Sequence, residues 1–145
     1  MAQTSGYDFS MTVGRPGQLY DLRPHTIESF AAEVALAFGD PVRRGTNPDK
    51  QVLKGNATTF RGVALIDPTR EQVYITGGAG FAIKDAVPVL AHGAVWVTAS
   101  VAVVAGEAAY VTSGGAFTNV STSNLLVGRF LTSAGAAAVA VLEIV

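Results

Sequence analysis

The chain of 145 residues has no cysteine, two histidines and few charges: ten lysines and arginines against eleven aspartates and glutamates. Each scarcity removes a class of function. Without cysteine there is no disulfide framework, no thiol nucleophile and no thiolate zinc site, and a cysteine-free chain suits either redox regime. With only His25 and His92, no HxH, HxxxH or HExxH spacing exists to converge on a metal. A formal net charge of −1 lacks the basic footprint of a nucleic-acid binder and the polybasic clusters of a membrane-surface protein. What the chain does have is apolar residues, 49% of the total, which rules out a disordered polymer, and a length that suits one domain with a real core.

The few charges are unevenly placed. Residues 1–85 carry nine basic and nine acidic side chains, and the last 60 residues carry Glu107, Arg129 and Glu143. From Ala86 to Gly106 there is no charge over 21 residues. That length raises the question of a membrane-spanning helix. Pro88 and Gly93 break helices, and Val95, Val97, Ala99, Val101 and Val103 alternate with Trp96, Thr98, Ser100 and Ala102, a strand period. The N-terminal residues show no basic segment followed by an apolar one, so no secretory signal is expected. A soluble monomer normally keeps charge on its surface. Either the neutral strands are covered internally, or part of their surface meets another chain, and the second is favoured.

The chain reads as one all-β domain, residues 27–145, behind an extended N-terminal arm, residues 1–26. Gly6, Gly14, Pro16, Gly17 and Pro24 punctuate the arm, and its apolar residues are scattered. Residues 27–38 fit both a helical stripe and one face of a strand (Phe30, Ala32, Val34, Leu36, Phe38), and the strand is favoured because the rest reads as sheet. Strands are expected at Val42–Gly45, Gln51–Lys54, Phe60–Ile66, Val73–Thr76, Ala86–Leu90, Ala94–Ser100, Ala108–Thr112, Leu125–Thr132 and Ala136–Val145. His92-Gly93, Ser113-Gly114-Gly115 and Ser133-Ala134-Gly135 are expected turns. Short strands every 8–12 residues with such turns suggest a jelly roll or barrel.

Little in the sequence points to catalytic chemistry. There is no Gly-x-Ser-x-Gly elbow, and Gly77-Gly78-Ala79-Gly80 lacks the lysine placement of a phosphate loop. No local pattern pairs two carboxylates for glycosidic chemistry. Arg43-Arg44 is too small for a nucleic-acid groove and fits a solvated strand end or one side of an intersubunit ion pair. The sequons at Asn56 and Asn119 are read as chance matches. Trp96, Phe60, Phe81, Phe117 and Phe130 are expected in the core.

Seven segments, in order, carry a resemblance: Gly17-Gln18-Leu19-Tyr20-Asp21, Phe38-Gly39-Asp40-Pro41-Val42-Arg43-Arg44-Gly45-Thr46, Phe60-Arg61-Gly62-Val63-Ala64, Val87-Pro88-Val89-Leu90 leading to Gly93-Ala94-Val95-Trp96-Val97, Val104-Ala105-Gly106-Glu107-Ala108-Ala109-Tyr110-Val111, Gly115-Ala116-Phe117-Thr118-Asn119 and Val127-Gly128-Arg129-Phe130-Leu131. Together they resemble the structural cement (capsid decoration) proteins of tailed bacteriophages, with Glu107 where family members often carry aspartate. The resemblance implies a compact jelly-roll or barrel domain that sits on the outer surface of the phage head, oligomerises as a dimer or trimer, and bridges major capsid subunits. It implies a protein made in the host bacterial cytoplasm, with no catalysis, no cofactor, no metal, no direct nucleic-acid contact and no membrane. The candidate partner-binding residues are Tyr7, Phe9, Leu19, Tyr20, Arg43 and Arg44. Two other readings share the composition: another virion β-protein, such as a tail or spike module, and a carbohydrate-binding β-sandwich using Tyr7, Tyr20 or Tyr74 as a platform.

Overall fold

In the computed structural model, residues 14–56, 59–67 and 80–145 are described. Among them are nine strands and no helix: β1 (Thr26–Ala32), β2 (Pro41–Arg44), β3 (Gln51–Lys54), β4 (Phe60–Ala64), β5 (Ala86–Thr98), β6 (Ala108–Val111), β7 (Phe117–Thr118), β8 (Leu125–Phe130) and β9 (Val139–Ile144).

The strands form two closed rings that share β5. The first runs β1-β3-β2-β4-β5, and β5 pairs back to β1, closing a five-stranded barrel. Its one parallel pair is β1 with β3, at Ala31 opposite Gln51 and Ala32 opposite Val52. The second runs β5-β9-β8-β6-β7, all antiparallel. It closes where Phe117 of β7 bridges Ala99, just past the end of β5, and the Ser100 amide donates to the Phe117 carbonyl at 2.9 Å. The fold is therefore all-β, as expected, and the strand order is that of a barrel.

Each ring has its own apolar filling. Phe30, Ala32, Leu36, Phe38, Val42, Val52, Phe81, Val87 and Val89 pack inside the first. Val95, Val97, Ala109, Val111, Phe117, Phe130, Ala140 and Leu142 fill the second, joined by Val63 and Leu90 from the first ring's wall. Alternation along each strand sends every second side chain inward.

The 13-residue β5 corrects the expected turn at His92-Gly93. The strand continues through this point and changes partners there: residues 86–92 pair with β1, and Gly93–Thr98 pair with β9. Leu90 and Val95 both reach the second core although their odd spacing would put them on opposite faces of a regular strand. A register shift opposite Thr26 and Ile27, and a Gly93 φ of 132°, supply the missing half-turn. A Cβ at Gly93 would also lie 2.8 Å from the His25 Cβ. The glycine that signalled a turn marks instead a kink inside a strand.

The segment 27–38 is strand only to Ala32. Beyond it the chain bends, and Leu36 and Phe38 are buried through the isolated bridge between Leu36 and Phe81 and an edge-on contact between the Phe38 and Phe81 rings at 5.3 Å. The strand expected at 51–54 is observed at those bounds, the one at 42–45 lies one residue earlier, and those near 60–66, 108–112, 125–132 and 136–145 are observed with trimmed ends. The expected strand Val73–Thr76, the glycine run 77–79, and Tyr7, Phe9 and Tyr74 lie outside the described residues.

Candidate functional site

Once the barrel is closed, most of the charge-free run is accounted for internally. Val87, Val89, Leu90, Ala94–Val97 and Ala99 are all buried. Trp96 is not in either barrel core. It points out from the second barrel with Ala94 and Val141, and it is 6% exposed because the chain from Gly14 to Tyr20 lies over it. The Gly17 amide donates to the Trp96 carbonyl at 2.8 Å, the Trp96 amide to the Gln18 carbonyl at 2.9 Å, and the Tyr20 amide to the Ala94 carbonyl at 3.1 Å. Tyr20 meets the Trp96 ring edge-on, centroids 5.7 Å apart.

What remains exposed at the end of that run lies at one end of the second barrel. The loop leaving β5 and the loop joining β8 to β9 pair there. Val103 and Ala134 exchange two backbone hydrogen bonds, at 2.9 and 3.0 Å, and the Ala105 amide donates to the Ser133 hydroxyl at 3.0 Å. The tip exposes Ala102, Val104, Ala105, Ala136, Ala137 and Ala138, with Val104 61% exposed. Ala137 holds a φ of 62°, an unusual conformation for a residue with a Cβ, and its amide donates to the Ala99 carbonyl. The one charged side chain beside the tip is Glu107. It is half-buried and accepts from the Val104 amide and from the Asn119 side chain at 3.1 Å. The tip thus presents paired backbone and small apolar side chains, and little of it would resist desolvation.

The charges gather elsewhere. Arg61 of β4 pairs with Glu28 of β1 across the first barrel, and Lys54 approaches Asp40 at 3.5 Å. Thr46 donates to Glu33 and holds that carboxyl below its usual value. A clamp ties the arm to the second barrel. Arg23 donates to Asp21 at 2.8 Å and to Glu143 of β9 at 2.6 Å, and Glu143 also accepts from Arg129 of β8 at 3.0 Å. The Arg23 hydrogen bonds lower both carboxyl pKa values, with Arg129 adding to the effect at Glu143, and raise that of Arg23 itself.

Of the sequence-derived candidates, Leu19 bridges Val95 and is half-buried against the second core. Tyr20 seats the arm on Trp96, with the Arg23 guanidinium 5.9 Å from its ring centre. Arg43 and Arg44 lie on β2 of the first barrel, where Arg44 donates to the Pro48 carbonyl at 2.6 Å and stands 5.7 Å from the Phe30 ring centre. The structure therefore joins Leu19 to Tyr20, and Arg43 to Arg44, but places the two pairs on different barrels. The neutral tip escaped the sequence reading because its alanines and valines read as strand. Its signal was the charge gap itself. His25 is exposed, with Nδ1 2.8 Å from the Arg23 carbonyl, and among the described residues no cluster of acidic or histidine side chains could hold a metal.

Outside comparison agrees with this architecture. The family model described as "Structural cement protein (E217 gp24/Pam3 gp6)" matches residues 2–145. No curated protein matches the chain. Among solved structures, a chain of the capsid of Myoviridae phage XM1 superposes with a TM-score of 0.72 at 20% identity, over 99% of this chain and 97% of that one. The head fiber gp8.5 N base of bacteriophage phi29 superposes with a TM-score of 0.54 at 11% identity, over 84% of this chain and 95% of that one. At these identities the two structures speak to the fold.

Proposed function

This chain belongs to the phage structural cement protein family, and from that premise we propose how a double barrel does such work. It is a capsid-stabilising structural protein. In the proposed arrangement it sits on the outer surface of the head, lays the neutral tip of its second barrel on the major capsid protein, bridges adjacent capsid subunits, and associates with copies of itself. It is made in the host cytoplasm and performs no catalysis.

The observation that carries this reading is the tip. A surface without charge, built on backbone groups already paired to one another, loses little when water leaves it. Rigid closure of both rings keeps that surface in shape, and a rigid contact wastes little free energy on ordering. Seams between capsomers are where a shell under outward load parts first. A small protein that spans one adds contact area that must be broken, and repetition around the shell multiplies the gain. Arg43 and Arg44 are the proposed polar rim toward a neighbouring subunit.

A pelleting assay tests this. Heads lacking the protein are mixed with it and sedimented. The wild-type chain is expected in the pellet, and the Val104→Glu, Ala137→Asp double variant at least tenfold less. Absence of the wild-type chain from the pellet contradicts the capsid role. Equal pelleting of the variant contradicts the tip as the contact.

A further inference from the structure

The two barrels are copies of one motif. In the first, β1 leads to the bridging residue Leu36, a turn at 37–40, and β2, β3 and β4; then come the bridging residue Phe81, a turn at 82–85 and the first half of β5. In the second, the same order runs from the last half of β5 through Val103, a turn at 104–107, β6, β7, β8, Ala134 and a turn at 135–138 to β9. The pairings correspond one for one. Both rings close on a parallel contact, Ala32 with Val52 and Ala99 with Phe117, and both shift register at the same place, after Val42 and after Ala109. The turns correspond too. Gly39 and Gly106, with φ of 86° and 95°, donate to the Ala64 and Phe130 carbonyls, each at 2.8 Å. One residue on, Leu65 and Leu131 donate to Pro88 and Val141.

This equivalence shows what the tip lacks. In the first barrel the arm turn at 15–18 lies over Gly39, where a Cβ would stand 2.8 Å from the Pro16 Cβ, and the Gly17 carbonyl accepts from the Ile66 amide at 2.9 Å. Gly39 is buried. Its counterpart in the tip, Gly106, is exposed, and a Cβ there would meet nothing within 4 Å. The counterpart of Ile66 is Thr132, two residues past Phe130, and its amide has no protein partner among the described residues. The covering turn has a definite chemistry. Pro16 and Gly17 occupy the centre of a turn closed by the Gln18 amide on the Arg15 carbonyl, and Gly17 has a φ of 86°. A Cβ on Gly17 would lie 2.9 Å from the Gly39 nitrogen, so only glycine allows so close an approach.

We infer that the tip takes a turn of this same kind, a glycine in the left-handed conformation preceded by a small apolar residue, presented by a major capsid subunit. The residue before the glycine packs on Gly106, and the glycine carbonyl accepts from the Thr132 amide. The inference rests on the capsid role proposed above and names what the tip grips. A second copy does not supply the turn: each chain has two such surfaces but a single Pro-Gly pair, and that pair already covers the chain's own Gly39.

Gly106→Asn tests it in the full-length protein. Asparagine tolerates a positive φ and its Cβ has open space in the free chain, so the variant should fold, yet it fills the spot where the visiting turn must pack. Gly135→Asn is the control. Gly135 belongs to the same tip and has equally open space, but its counterpart, Ala82, is left uncovered in the first barrel. Pelleting with heads that lack the protein is expected to fall at least tenfold for Gly106→Asn and to change less than twofold for Gly135→Asn. Hydrogen exchange in a peptide over residues 131–134 should show the Thr132 amide at least tenfold slower on heads than in the free wild type. If Gly106→Asn does not fold, that exchange measurement decides. Wild type in the pellet with both variants alike, or with Thr132 exchange unchanged, overturns this inference and leaves the capsid role standing. Wild type absent from the pellet overturns both.

Discussion

Gly93 shows how one residue sets the architecture. Its positive φ lets β5 turn over between the two barrels, and the His25 side chain occupies the space a Cβ would need. Gly93→Ala is therefore expected to cost about 2 kcal/mol, read from the denaturation midpoint. A neutral outcome would mean that the half-turn is made elsewhere. Phe130, fully buried in the second barrel, gives a reference for ordinary core loss: Phe130→Ala should cost about 3–5 kcal/mol. Core aromatics of this kind were legible from sequence, since Phe81, Phe117 and Phe130 are buried as their strand positions implied. Trp96 was not. Period-2 alternation puts it opposite Val95 and Val97, but nothing in the sequence says that the arm covers that second face.

At the scale of elements, the arm segment 14–25 behaves as an edge strand held by a charged clamp. Because Asp21 and Glu143 both have lowered pKa values in the fold, their contribution is fully present above the unfolded carboxyl values and is lost as pH falls through the lowered ones. Emission from the single tryptophan, Trp96, should hold steady down to about pH 5 and shift to longer wavelength below about pH 4, as the arm loosens. Glu143→Gln should move that transition toward neutral pH. An emission spectrum flat to pH 2 would mean that Tyr20 and the backbone bonds hold the arm without the clamp. The length of β5 was misread because a His-Gly pair between two apolar runs is also the mark of a hairpin, and only the partners on either side distinguish a turn from a kink. Ring closure was equally hidden. The seam between β1 and β3 rests on two residue pairs, and pairing between strands so far apart along the chain leaves no local pattern.

Across the whole molecule, charge divides by barrel. The first carries Glu28, Arg43, Arg44, Lys54 and Arg61, while the second carries Glu107, Arg129 and Glu143, and beside its tip Glu107 is half-buried and hydrogen-bonded. The charge gap in the sequence foreshadowed this, but it left open whether neutral strands were covered from within or by a neighbour. The strands are covered internally, and the loops beyond them form the neutral tip that we propose a neighbour covers. The double substitution at Val104 and Ala137 should leave thermal unfolding of the free protein within about 2 °C of wild type, since both side chains are solvent-exposed. A larger drop would mean that the tip is part of the fold's own support. The central claim concerns load on the shell, and the rupture temperature of heads measures it directly. Heads saturated with the protein are predicted to rupture at a higher temperature than bare heads, and heads offered the tip variant at the temperature of bare ones. Bare and saturated heads rupturing at the same temperature would contradict the account.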